Sequence, residues 1–296
     1  MQRFLAGGWP SWLIRLGLTK PRVLIFGQGK SGSSALFHAL REQTPFPPGT
    51  TFFEPSLEIQ AAFPKQGRLL AKILIKNIDS QQAWGGLATF NRRILLVRDP
   101  RDQLVSRMLY KIWDVPAFRD DVAMGRWLDL LRRKETSPGS ISLLELLREY
   151  GSWFGDDWEY LLRDNRRDYD RRCAIVEAVG GFFVFRYEDF VDGRTEGLSA
   201  FLGIPIHNRV EVPQELARVR RTKQRGDWRH WFIPGDVDKL RPWLQKPLAE
   251  HYPGSDWELS PAPHINPGHA SGYVRRIVNE RRALDGLPPL PVSSSS

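Results

Sequence analysis

Residues 22–40, RVLIFGQGKSGSSALFHAL, constrain the fold more than any other part of the chain. The run from Arg22 to Phe26 is apolar and β-branched without alternation, the pattern of a strand buried on both faces. Gly27, Gly29 and Gly32 break that pattern, and from Ser33 onward apolar residues recur at helical spacing. Strand, glycine loop and helix in that order gather backbone N–H groups and a helix N-terminus around one point, which makes a cradle for a phosphate. Lys30 adds a point charge, and Ser31, Ser33 and Ser34 add hydroxyl donors. An ordinary tight turn with a surface lysine contains the same residue types, so the loop needs support from elsewhere in the chain.

Further strand-to-helix switches supply part of that support. Residues 69–75, LLAKILI, predict a second strand, closed by Lys76 and Asn77, and a short helix follows over 80–87. Residues 93–97 predict a third strand that runs into RDPRDQLVSRMLYKIW, where Leu104, Met108 and Ile112 share one helical face. Residues 182–187 predict a fourth strand, followed by a helix ending near Gly203. The repeated switches predict an α/β fold: a P-loop-like three-layer sandwich with a central parallel sheet. Between 115 and 170 the period is helical, broken at Pro138-Gly139, which predicts a helical cap inserted in a single domain over 21–285. Pro45, Pro47, Pro48 and Gly49 predict an irregular connection over 42–60. Residues 236–248 and 273–284 read as the last helices, and the Pro- and Ser-rich end, 286–296, as a disordered tail.

A chain of 296 residues with 41% hydrophobic content has ample material for a core. Its net charge of +9 fits an acidic partner, whether nucleic acid, an anionic surface or a phosphorylated small molecule. Cys173 is the single cysteine, which excludes an intrachain disulfide and a multi-cysteine metal site and suits a cytoplasmic location. No stretch approaches the ~18 apolar residues needed to span a bilayer. The N-terminal segment, 1–20, sets Trp9, Trp12, Leu13 and Leu16 beside Arg3 and Arg15. Gly7, Gly8, Pro10 and Arg15 interrupt its apolar part, and no small-residue cleavage site follows, which argues against a secretory signal. Two readings remain for it: packing on its own domain, the commoner fate, or weak peripheral contact with a membrane surface.

Neither standard phosphate loop fits. A nucleotide-triphosphatase loop needs a glycine five positions before Gly29-Lys30-Ser31, and Leu24 stands there. A dinucleotide fingerprint is met by Gly27, Gly29 and Gly32, but the Pro-rich stretch beyond offers no strand for its acidic residue. Lys30-Ser31-Gly32-Ser33-Ser34 instead resembles the 5′-phosphosulfate loop of the sulfotransferases that use 3′-phosphoadenosine-5′-phosphosulfate (PAPS). LLVRDPRDQLVSRMLY resembles that family's 3′-phosphate segment, with Arg98 and Ser106 at its contact positions. FRYEDF resembles the segment whose tyrosine, here Tyr187, lies near the adenine. RTKQRGDWRHWF resembles the late nucleotide-covering loop, with Arg221 at the 3′-phosphate arginine and Lys223, Arg225 and Gly226 beside it. The four segments follow in the family's order across residues 22–232.

The resemblance implies transfer of a sulfuryl group from PAPS to a hydroxyl of a carbohydrate, lipid or other small-molecule acceptor, with no metal and no nucleic-acid partner. It implies donor binding by Gly29, Lys30, Ser31, Gly32, Ser33, Ser34, Arg98, Ser106, Tyr187, Arg221, Lys223, Arg225 and Gly226. Two separated anion sites suit a nucleotide phosphorylated at both ends, and guanidinium forks match phosphate oxygens. Lys30 is placed at the leaving phosphate, and Lys76, matching the family's second-strand lysine, at the sulfuryl oxygens. Lys72 competes with Lys76, because even spacing puts both on one side of a strand. Glu54 matches the glutamate base of several non-cytosolic members; beside Pro55 and two phenylalanines, burial is expected to raise its pKa. Glu58 and His230 stand in reserve, and His38, within the first helix, reads as packed or exposed rather than catalytic.

The chain departs from the family at three points. Ala35 stands where cytosolic members stack a tryptophan on adenine, which leaves Trp228 or Tyr187 for that task. Thr222-Lys223 replaces Lys-Gly in the late loop, and Ile78 takes the place of a catalytic histidine. Phe52, Phe53, Trp84, Tyr110 and Trp113 are candidates to line an acceptor pocket. The rival readings are a P-loop small-molecule kinase and a non-catalytic basic module for nucleotides or nucleic acid, the latter suggested by the charge and by Arg218, Arg220, Arg221, Lys223, Arg225 and Arg229.

Overall fold

Five segments form one all-parallel sheet in the computed structural model, which describes residues 20–78, 81–210 and 225–291, without the side chains of 58, 81 and 82. The strands are β1 (Arg22–Gly27), β2 (Thr51–Phe53), β3 (Leu69–Leu74), β4 (Arg92–Val97) and β5 (Phe182–Arg186), in the order β2-β3-β1-β4-β5. β1 and β3 are buried at every position, which is why both read as unbroken apolar runs. In the register, Ile25 of β1 lies opposite Lys72 of β3 on one side and Ile94 of β4 on the other. The chain leaves β1 toward β2 on one side of the sheet and leaves β4 toward β5 on the other, so the loop after β1 borders the topological switch point, where sheets of this class bind ligands.

The helices in chain order are α1 (Ser33–Gln43), α2 (Leu57–Ala61), α3 (Gln81–Leu87), α4 (Pro100–Tyr110), α5 (Asp121–Thr136), α6 (Leu143–Ser152) and α7 (Tyr160–Val179). They continue as α8 (Tyr187–Val191), α9 (Glu196–Leu202), α10 (Trp228–Trp231), α11 (Pro234–His251) and α12 (Ser271–Leu284). The described chain divides into two compact units, residues 20–98 with 167–210 and residues 99–166 with 225–291. In the first, Val23, Ile25, Leu70, Ile94 and Leu96 cover one sheet face against Leu36 and Leu40 of α1, Phe190 of α8 and Leu198 of α9. Leu24, Phe26, Ala71, Ile73, Leu95 and Val97 cover the other face against Leu87 of α3 and Ile175 of α7. This is the expected three-layer α/β sandwich.

The second unit is helical. Leu104 and Met108 of α4, Trp127 and Leu131 of α5, Leu147 of α6, Leu240 of α11 and Ile277 of α12 share one core. The helical stretch read from the sequence as an insertion therefore shares its core with helices from the end of the chain. Asp236, with none of its surface exposed, joins two helix starts. Its carboxylate accepts hydrogen bonds from the backbone N–H groups of Leu143 (2.9 Å), Leu144 (3.3 Å) and Ile233 (2.9 Å), and from the Ser142 hydroxyl. One carboxylate thus satisfies orphan donors at the N-termini of both α6 and α11.

Two expectations fail locally. The stretch over 42–60 holds β2 and α2, because Thr51, Phe52 and Phe53 pair with Leu70, Ala71 and Lys72. Three residues are too few for a periodic signal, so only the neighbouring strand makes them a strand. The described part of the tail is also ordered: Arg282 Nε donates to the Pro288 carbonyl (2.6 Å), Arg275 Nη1 to that of Pro291 (2.8 Å), and the Leu290 N–H to Asn279 Oδ1 (2.9 Å). Leu290 itself is buried in the helical core, a tertiary contact that composition does not encode. Among the described residues no helix is long and apolar enough to cross a membrane. Asp236→Ala strips two helix starts of their common acceptor. It is expected to lower stability by about 2–4 kcal/mol in urea unfolding, with an unchanged denaturant slope.

Candidate functional site

Between β1 and α1 the backbone turns left-handed twice, at Lys30 (φ 66°) and Gly32 (φ 88°). Gly32 caps α1 without any side-chain bond, and the first turn carries no acidic residue, so the helix start favours an anion. Glycine is needed here for closeness as well as for φ. A Cβ on Gly27 would lie 2.7 Å from the Leu96 carbonyl oxygen, and one on Gly32 would lie 2.1 Å from Cδ2 of Tyr187. Tyr187 therefore sits against the loop. Arg98 joins it: Nη1 donates to the Lys30 carbonyl (3.2 Å), and the guanidinium lies 4.7 Å from the Tyr187 ring centre. Two buried donors in this cluster, Ser31 Oγ and Arg98 Nε, have no hydrogen-bond partner among the described residues. Orphaned donors beside an uncapped helix start fit a phosphorylated ligand.

The loop is tied to a carboxylate through Lys72. Its side chain is 2% exposed, and Nζ lies 2.9 Å from Ser34 Oγ, 2.5 Å from Glu54 Oε1 and 3.9 Å from the Phe53 ring centre. Burial pushes the Lys72 pKa down, while the Glu54 carboxylate pulls it back up. The Glu54 N–H donates to the Lys72 carbonyl (2.9 Å), extending the β2–β3 pairing by one residue. Glu54 has φ 49°; with Lys30 it is one of the two non-glycine residues in the left-handed region among those described. Each such residue costs about 1–2 kcal/mol, a strain that concentrates at functional sites.

The setting of Glu54 differs from the desolvated carboxyl expected. Its side chain is 31% exposed and ion-paired, and Phe53 turns its ring to Lys72. Lys76 lies exposed on the 3₁₀ turn Ile75–Asn77 beyond β3, near enough to disfavour the Lys72 charge. The residue in touch with both the loop and Glu54 is thus Lys72. Its signal in the sequence is a lone charge inside an otherwise apolar strand. Glu58 lies on α2, and its side chain is outside the described set. His38, one turn beyond Ser34 on α1, is packed, 2% exposed, against Phe37 and Phe53. Neither ring nitrogen has a partner among the described residues, and its pKa falls to about 4 through burial, with smaller contributions from Arg41 and Lys72.

The second unit holds other residues of the resemblance. Ser106 is buried on α4. The late loop begins its described part at Arg225, which is exposed, and Gly226 has φ 73°. Asp102 of α4 anchors this segment, accepting from the N–H groups of Gly226 (2.6 Å) and Trp228 (2.9 Å). The sequence reading missed Asp102, and only the fold shows what it holds. Trp228 cannot stack on a nucleotide: it is buried against Phe232 and Trp257, with the Arg101 guanidinium 3.9 Å from its ring. Arg229 is held by the Asp256 carboxylate (2.7 Å) and the Glu258 carbonyl, and His230 Nδ1 accepts from the His264 N–H (3.1 Å). Arg218, Arg220, Arg221 and Lys223 lie outside the described residues. Of the candidate acceptor contacts, Phe52 and Trp84 pack on the first unit's core, and Tyr110 and Trp113 on the second's. No group of three or more His, Cys, Asp and Glu side chains is placed to hold a metal among the described residues.

No family model and no curated protein matches the chain. Among solved structures it is similar to the crystal structure of a mouse sulfotransferase complexed with PAP, at 16% identity and a TM-score of 0.43, over 84% of this chain and 92% of that one. This is a distant and partial likeness of fold.

His38 gives the site a measurable pH signature. Its folded pKa, about 4, lies below the ordinary 6.5, so the unfolded chain takes up this proton first as pH falls. Its contribution to stability is complete above pH ~6.5 and is lost as the pH falls toward ~4. His38→Phe, which keeps the ring packing, is expected to flatten that part of the decline in urea unfolding at pH 7 and pH 4.5.

Proposed function

We propose that the protein is a sulfotransferase that uses PAPS as donor and a hydroxyl compound as acceptor. The observation that carries this reading is the chain of contacts Ser34–Lys72–Glu54, which joins a phosphate-type loop to a carboxylate suited to deprotonating an alcohol. The orphaned donors of Ser31 and Arg98 support a phosphorylated ligand at the same place. In this reading Gly29, Lys30, Ser31, Gly32, Ser33 and Ser34 hold the 5′ end of the donor, with Arg98 and Tyr187 beside them. Ser106, Arg221, Lys223, Arg225 and Gly226 are assigned to the donor by the motif resemblance alone. The donor supplies an activated sulfuryl group on a phosphate leaving group.

The residues of the chain then divide the work. Lys30 stabilises charge on the departing phosphate oxygen, the kind of preorganised electrostatic help that group transfer needs most. Glu54 accepts the proton of the acceptor hydroxyl. Lys72 acts through Glu54: it holds Oε1 and, by binding Ser34 as well, keeps the base at a set position relative to the loop. Lys76, exposed beyond the end of β3, is the lysine left to meet the sulfuryl oxygens. The acceptor class is a carbohydrate, lipid or other small molecule with a free hydroxyl.

Calorimetry against 3′,5′-bisphosphoadenosine and against ATP with magnesium tests the donor assignment. The bisphosphate is expected to bind more tightly, and tighter ATP binding would replace this reading with the kinase one. Arg98→Ala is expected to weaken the bisphosphate by roughly 10–100-fold, the loss of a charged hydrogen-bond donor. Glu54→Gln should leave that affinity within about threefold and slow sulfuryl transfer by about 10²–10⁴-fold, the usual share of a general base. Unchanged turnover in Glu54→Gln removes the glutamate from the mechanism.

A further inference from the structure

The strand β5 ends one side of the sheet with an edge that lacks the usual protection. Among the described residues it pairs with β4 alone, and no backbone hydrogen bond from outside that ladder reaches Phe182 to Phe185. Alternate residues of a strand turn their N–H and C=O groups to opposite sides, so part of the β5 backbone faces away from β4. Natural sheets blunt such an edge with proline, an inward charge, a bulge or a very short strand. The opposite edge uses two of these: β2 has three residues and lies between Pro48 and Pro55. β5 has five residues, FFVFR, with neither proline nor charge before Arg186.

The side chains of β5 suit a partner on that side. Phe183 stacks on Phe201 of α9 (4.6 Å between ring centres) and Phe185 lies against Phe190 of α8 (6.5 Å), so both are fixed on one face. Phe182, Val184 and Arg186 belong to the other face. Val184 is 45% exposed, the one large apolar side chain on a strand to be so open among the described residues. Arg186 Nε donates to the Asp189 carboxylate (2.9 Å), which compensates the single charge of the strand.

The strand is also complementary to itself. A two-fold axis normal to the sheet pairs residues whose side chains share a face, so it must pass through one residue of β5. Through Val184, it sets Val184 opposite its own copy, Phe183 opposite Phe185, and Phe182 opposite Arg186. That arrangement gives an aliphatic pair at the centre, an aromatic pair on either side of it and a cation beside a ring at each end. An axis through Phe183 would set Gly181 against Phe185, and one through Phe185 would bring Tyr187, the first residue of α8, into the ladder. We propose that a second copy of this chain pairs antiparallel with β5 about Val184, joining two sheets into one. Neither donor nor acceptor takes part in this contact, so it stands or falls separately from the proposed reaction.

Sedimentation velocity on the full chain tests it. Between ~1 and ~100 μM the mass is expected to rise from that of one chain toward that of two, as for an interface of micromolar affinity. Val184→Lys sets two ammonium groups opposite each other at the axis and should raise the dissociation constant by about tenfold or more. Because the position is exposed, the urea midpoint of the dilute chain should hold. In a Cys173→Ser background, Val184→Cys is expected to be linked into dimers by a short bis-maleimide, while Val122→Cys, at a 69% exposed position on α5, stays unlinked. A single-chain mass at every concentration would overturn the proposal, as would a dimer indifferent to Val184→Lys. Linkage of Val184→Cys no faster than that of Val122→Cys, or growth beyond two chains, would overturn the two-fold pairing as well.

Discussion

The buried ammonium of Lys72 is the interaction on which the first unit's site depends. A charge in the middle of an apolar strand is tolerated only when paired and hydrogen-bonded, since losing one partner strands it in a medium that cannot solvate it. Three residues from two elements meet that demand: β2 ends in Phe53, which offers its ring face, and positions Glu54 just beyond it, while α1 brings Ser34. The demand also accounts for two local oddities. The edge strand is only three residues long yet holds its register on β3, and the residue after it accepts a left-handed backbone to aim its carboxylate at Nζ.

The same logic, with signs reversed, organises the second unit. Asp236 and Asp102 are fully buried carboxylates that each accept hydrogen bonds from backbone N–H groups of a segment distant in sequence. Asp236 collects the starts of α6 and α11, and Asp102 collects the turn at Gly226 and the start of α10. Both bind segments about a hundred residues apart in the chain, 236 to 143 and 102 to 226. Helix N-termini are good counter-charges because their first amides lack partners and share the positive end of the dipole.

Much of this was legible from residue order, for a definable reason. β1, β3, β4 and β5 are apolar runs buried by helices, and burial on both faces leaves a strong local signal at residues 22–27, 69–74, 92–97 and 182–186. The glycine loop was visible because its constraint is intrinsic: Gly32 has a backbone that most residues avoid. The β2 strand, the ordered end at Leu290 and the burial of Trp228 were not legible, because each is decided by a partner distant in sequence. Trp228 illustrates this well. Its neighbours Gly226 and Asp227 suggest a loop open to a ligand, yet Arg101, Phe232 and Trp257 enclose its ring.

The sequence alone determined the fold class, the place of the loop after β1, and the residue types, lysine, serine and arginine, whose donors suit it to an anion. These follow from local periodicity and local backbone freedom, which short segments carry by themselves. Tertiary structure decided which charged groups meet. Lys72 and Lys76 have equal claims on a strand drawn in one dimension; the strand's end at Leu74 and the pairing of Phe53 with Lys72 put one ammonium between Ser34 and Glu54 and leave the other in solvent. That choice depends on the strand register and on which sheet face α1 covers, and both are properties of the assembled sheet.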